Sequence, residues 1–155
     1  MDAYSRSDAR LGSLLVALQF VLLVWLAFRG AAALFAVRLP IDAVIAAGLS
    51  LALGLWALSA NRPGNFNIRP LPRAGGRLIR EGPYRWIRHP MYTALLLAGV
   101  AAARFANALE TWLVLAALAT VLVAKAGIEE RAMSARHPGY RDYQQHTWRF
   151  VPGLY

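Results

Sequence analysis

Cysteine is absent from the 155 residues, which excludes disulfides, thiolate metal sites and a cysteine nucleophile. The three histidines are scattered, with no spacing that suits a metal ion. Acidic residues are scarce, 8 against 17 basic ones, and every basic residue except Lys125 is an arginine. Internal repeats and low-complexity tracts are missing too. So is the alternation of buried and exposed positions that a soluble domain of this length would need. The hydrophobic residues, 58% of the chain, are gathered in long blocks instead.

Four such blocks stand out, near 11–28, 39–60, 91–106 and 109–127. The first two reach the roughly 20 residues that span a hydrocarbon core. The third is shorter and carries Arg104, and a tight turn joins it to the fourth as a helical hairpin. The expected fold is an all-α integral membrane protein with about four transmembrane helices, one domain over 1–155. A loop over 61–90 and a tail over 128–155 complete it. Arg6 and Arg10 precede the first block, and Ala31 to Ala33 imitate a cleavage site. However, a signal-peptide core runs to about 7–15 residues, and this uncharged stretch containing Trp25 is longer. It is expected to remain as the first helix.

Arginine placement sets the orientation. The stretch 61–90 holds Arg62, Arg69, Arg73, Arg77, Arg80, Arg85 and Arg88 against Glu81 alone. Lys125, Arg131, Arg136, Arg141 and Arg149 follow the fourth block, whereas the other connections carry only Arg29, Arg38 and Arg104. The positive-inside bias puts both termini and the long loop in the cytoplasm, with a bacterial inner (plasma) membrane as the expected location. A net charge of +9 also suits nucleic acid, but arginines set beside apolar blocks favour membrane lipid as the partner, with no nucleic acid. Within the loop, Asn61-Arg62-Pro63-Gly64-Asn65 and Arg69-Pro70-Leu71-Pro72 cannot propagate a helix. The apolar Phe66, Ile68, Leu71, Leu78, Ile79, Tyr84, Trp86 and Ile87 predict that it folds back over the helix ends.

Two constellations have chemical content. In Gly82-Pro83-Tyr84-Arg85-Trp86-Ile87-Arg88-His89-Pro90-Met91-Tyr92, Pro90 suits the first turn of a helix. Arg88 and His89 then fall at its N-terminus, where free amides and the helix dipole favour an anion, and Tyr92 shares the face of His89. The same residue types also anchor a protein at the head-group level. Glu129-Glu130 lies on the extension of the fourth helix. Adjacent helical residues diverge by about 100°, so one acid is expected to face a site and the other to support the helix or an arginine of the loop. The competing reading is a solvated pair with a Lys125–Glu129 contact. A transporter is disfavoured, because the spans show no buried charged pathway.

In order and spacing these residues resemble the isoprenylcysteine carboxyl methyltransferase family and its relatives, the membrane phospholipid N-methyltransferases. The shared pattern is Gly82 and Tyr84, then Arg88-His89-Pro90-Met91-Tyr92, an apolar hairpin, Glu129-Glu130, and a tail with Gly139-Tyr140, Tyr143 and Pro152. The resemblance implies S-adenosyl-L-methionine as cofactor, in a cytoplasmic pocket formed by the helix 3–4 hairpin and the C-terminal tail. It further implies cofactor contacts from Arg88, His89, Pro90, Tyr92, Glu129 and Glu130, with Tyr84, Tyr140 and Tyr143 as walls and no metal. Two positions depart from the family. Ala94 stands where a glycine is frequent, and His146 stands where relatives carry an arginine. Arg149 is the nearest arginine, so Arg149 and His146 are the candidate catalytic residues, one for a substrate carboxylate and the other as a proton acceptor. The implied activity is methyl transfer to a hydrophobic or lipid-like small molecule, carboxyl O-methylation ahead of phospholipid amine N-methylation. The alternative of another class is a non-enzymatic membrane scaffold or anionic-lipid-binding protein.

Overall fold

A lipid-facing segment must satisfy every backbone group internally, and a helix does so within its own length. The computed structural model, which describes residues 6–34, 40–61 and 77–154, has this form. Its long helices are α1 (Arg6–Leu34), α2 (Ile41–Asn61), α3 (Pro90–Ala106) and α4 (Leu109–Arg136), and a short α5 (Tyr140–Gln145) lies in the tail. A 3-10 turn over Gly82–Arg85 precedes α3. Among the described residues there is no strand, only an isolated parallel bridge between Ile87 and Trp148.

The chain is an all-helical membrane protein. Helices α1, α2 and α4 are long and apolar enough to cross a bilayer. At 17 residues, α3 is shorter, about 26 Å against a core of about 30 Å. The outward faces are apolar: Phe28 is 70% exposed and Ile41 77%, which water would penalise and lipid does not. Both α1 and α4 outrun their apolar blocks. Charged residues stop a block from lying in hydrocarbon, but arginine, glutamate, alanine and methionine all propagate a helix. The extension of α4 carries Glu129 and Glu130. The tail helix α5 was not expected.

Helix α3 packs against α1, α2 and α4, and α1 also lies against α4. Small residues let it occupy the middle, with Ala94, Gly99, Ala101, Ala102 and Ala103 buried along it. A side chain on Gly30 of α1 would place its Cβ 3.1 Å from the Ala102 Cα, so these backbones touch. Leu26, Leu115, Leu118 and Leu122 fill the core around Ala102 and Ala103. The Ser50 hydroxyl donates to the Ala94 carbonyl at 2.7 Å and ties α2 to α3. The turn into α4 rests on Asn107 in the left-handed conformation (φ 48°), where asparagine is tolerated as a helix cap.

At that end of the bundle, Arg29 pairs with Glu110 and Arg104 with Asp42. Two of the three arginines in the sparse connections are therefore neutralised locally. The third, Arg38, lies outside the described residues. So do Arg62, Arg69 and Arg73, with the irregular segment 62–76 that was expected to fold back. The described end of the loop does fold back, against α2. Gly30→Val is expected to force α1 off α3 and cost about 1–3 kcal/mol, read as a lower thermal midpoint of the detergent-solubilised protein.

Candidate functional site

Gly82 opens the 3-10 turn with φ 57°, and a Cβ there would sit 2.8 Å from that of Ala60. Glycine is thus required both by conformation and by contact with α2. The chain then forms an isolated parallel bridge with the tail at Ile87 and bends at Arg88. Trp148 donates its N–H to the Trp86 carbonyl at 2.8 Å, Arg88 to Trp148 at 2.8 Å, and His89 to Arg149 at 3.1 Å. This corrects the expectation of free amides for an anion, because tail carbonyls take the N–H groups of Arg88 and His89. Pro90 occupies the first helical position after the cap His89 and is buried, as its chemistry suggests.

Glu130 lies at the centre of the cluster, 4% exposed. Its Oε1 accepts from Arg88 Nε at 2.9 Å and Arg149 Nε at 3.2 Å, with His89 Nε2 at 3.1 Å. Its Oε2 accepts from Arg149 Nη2 at 2.7 Å and Gln144 Nε2 at 3.3 Å. Glu129 accepts from the Tyr92 hydroxyl and lies 3.4 Å from His89 Nδ1. Both acids therefore meet the imidazole, while Glu130 also supports Arg88, an arginine of the loop, as one acid was expected to do. The ring presents a nitrogen on each of two edges, so carboxylates diverging from one helix can clasp it from both sides. Burial alone would lower the pKa of His89. The two carboxylates outweigh burial, through hydrogen bonds and charge, and raise it above 6.5.

Aromatic rings enclose the cluster. Tyr92 stacks on His89 at 5.4 Å, and Phe150 tilts against both rings. Tyr140 and Tyr143 are buried against one another, and the Tyr143 hydroxyl donates to the Tyr84 carbonyl at 2.6 Å. Arg80 lies over the Tyr143 ring. Burial and the charge of Glu129 push the Tyr84 hydroxyl up to about 12, and burial raises Tyr140 and Tyr143 as well. All three phenols stay neutral. A cleft of about 490 Å³ lies among Ala60, Arg77–Glu81 and His137, and none of the sequence-predicted site residues lines it.

The structure thus gathers Arg88, His89, Pro90, Tyr92, Glu129, Glu130 and Arg149 into one cluster, with Tyr84, Tyr140 and Tyr143 braced beside it. Arg88 is committed to the tail, donating also to the Gln144 and Thr147 carbonyls. His146 is not brought in. Its side chain is 73% exposed and bonds Asp142 one turn earlier, because α5 buries Tyr140 and Tyr143 and turns its other side outward. Phe150, Gln144 and Thr147 were missed, and no local pattern marks them. The competing reading made Lys125 a solvated partner of Glu129, and it is instead buried with Gln19 of α1. The spans thus hold one buried cation that was not expected, although a single lysine makes no pathway. Ala94, the departure from glycine, lies opposite Gly54, where even an added Cβ would meet it only at ordinary contact distance.

The fold and the cluster are those of a helical membrane protein with a histidine clasped by two acids at one end of the bundle. The profile of the isoprenylcysteine carboxyl methyltransferase (ICMT) family matches residues 43–135, well over half of the chain, and the chain belongs to that family. No curated protein matches it. The matched region runs from α2 to the end of α4 and includes His89, Tyr92, Glu129 and Glu130. It excludes α1 and the tail that supplies Arg149.

Removing Glu130 leaves Arg88 and Arg149 without their carboxylate in a buried setting. Glu130→Ala should therefore destabilise the folded protein by about 3 kcal/mol or more in thermal or denaturant unfolding. A histidine whose folded pKa is raised stabilises most while it is protonated in both states. That contribution is complete below about pH 6.5 and is lost as pH rises through the folded value. The thermal midpoint should accordingly fall on the alkaline side, and His89→Phe should remove that dependence.

Proposed function

We propose that the chain transfers a methyl group from S-adenosyl-L-methionine to the carboxylate of a hydrophobic, lipid-like small molecule. The observation that carries this reading is the convergence of Glu129, Glu130 and Tyr92 on His89 in a chain of this family. The side chain of Glu129 is 22% exposed against 5% for Glu130. Glu129 is therefore the acid for the donor's amino or ribose groups, and Glu130, already surrounded by donors, is the frame. Tyr92 and Phe150 close the cluster with aromatic rings, a lining compatible with the donor's sulfonium and purine. Tyr84, Tyr140 and Tyr143 wall the site, while Arg88 and Pro90 hold the tail and the helix entrance in register.

When bound, S-adenosyl-L-methionine supplies a methyl group on a positively charged sulfur. Displacement by a carboxylate oxygen breaks the carbon–sulfur bond, and the electron pair stays on sulfur as a thioether. The protein's share is to hold the acceptor in line and keep water out. A carboxylate needs no proton removed, whereas an ammonium does. Both ring nitrogens of His89 are engaged by carboxylates, and His146 bonds Asp142 on the outer side. Neither histidine is thus placed to take a proton from an ammonium in the cluster, which favours a carboxylate over a phospholipid amine. Arg149, anchored on Glu130, is the cation for that carboxylate. The arginine-rich end faces the cytoplasm of a bacterial inner (plasma) membrane, with both termini on that side.

Calorimetry with S-adenosylhomocysteine on the detergent-solubilised protein tests the site. Glu129→Gln should weaken binding about tenfold or more, the worth of a charged hydrogen bond, with a small effect on the thermal midpoint. His146→Ala should change neither. Membrane extracts labelled with radioactive donor should yield a product that releases its label as methanol in alkali, as an ester does. Absence of binding by the wild type rejects the reading, and alkali-stable label rejects the carboxylate acceptor.

A further inference from the structure

Lys125 is the chain's one lysine, and at 1% exposure it is the most deeply buried charged residue among those described. An ammonium taken out of water costs several kcal/mol, and an apolar side chain would pack there more cheaply. It does not reach out to the surface as lysines near membranes often do. Its partners are a neutral amide and a ring. The Nζ donates to Oε1 of Gln19, itself 6% exposed on α1, and lies 5.0 Å from the centre of the Tyr92 ring.

That ring has four contacts, one of them the tilted ring of Phe150. His89 stacks on it, the Lys125 ammonium lies against it, and its hydroxyl donates to Glu129. Glu129 stands one helical turn beyond Lys125 on α4, on the same face. We propose that Lys125, held by Gln19, is a positioning residue for the methyl-donor site, fixing the Tyr92 ring and through its hydroxyl the direction of the Glu129 carboxylate. The proposal rests on the reading of Glu129 as the donor-facing acid. It gives α1, which lies outside the family match, a part in the chemistry. Contact with a ring face restricts how the phenol tilts, and a desolvated cation there is worth more than in water.

The test is a double-mutant cycle of Lys125→Met and Tyr92→Phe, read by calorimetry with S-adenosylhomocysteine. Methionine keeps the length of the side chain and removes the charge, and phenylalanine keeps the ring and removes its link to Glu129. Lys125→Met alone should weaken binding about twofold to thirtyfold, the span of a cation–π contact, and raise KM for the donor with little change in kcat. In the Tyr92→Phe background the same substitution should have almost no effect. Gln19→Met should reproduce the pattern in weaker form, and serves if Lys125→Met does not fold. An equal loss in both backgrounds, or no loss in either, overturns the positioning role and leaves the proposed function standing. Failure of the wild type to bind overturns both.

Discussion

A carboxylate buried in a membrane protein is stable only if cations are buried with it, and Glu130 has three around it. Arg88 and His89 come from the segment before α3, Arg149 from the tail, and Glu130 itself from α4. Three stretches far apart in sequence are drawn to one point by that requirement. The parallel bridge between Ile87 and Trp148 runs beside it and uses the backbone for the same purpose. A large part of such an arrangement's apparent strength is the penalty for breaking it, since any partner left alone is an unpaired buried charge.

Around this point the two carboxylates divide their work. Glu130 is spent on the protein, whereas Glu129 retains partial exposure and is oriented by a phenol. On the proposed reading, a rigid acid behind and a presented acid in front would hold a polar ligand at a bilayer surface, where water competes for a loose side chain. The rings of Tyr92 and Phe150 keep that water out.

The bundle below supplies the platform. Small residues let α3 lie between the other helices, so its N-terminus, carrying His89 and Pro90, projects beside the end of α4. Arginines at the opposite end are matched by Glu110 and Asp42. The arginines near the cluster either serve Glu130 and the tail or add to the positive excess at that end.

The sequence alone determined the class of architecture and most of the residues that meet in the buried cluster around Glu130. A bilayer accepts only long uninterrupted apolar runs, and their lengths are visible without any tertiary contact. Arg88, His89, Pro90, Tyr92 and Glu129-Glu130 were legible as an ordered pattern around a hairpin. What each does was decided by the tertiary structure. Whether adjacent acids diverge or clasp depends on His89 standing between them, and His89 is placed by α3, far from α4 in the chain. The outward turn of His146, the commitment of Arg88 to the tail and the pairing of Lys125 with Gln19 have the same origin. Each depends on a side chain's direction relative to a distant element. Local composition and periodicity carry no information about that direction.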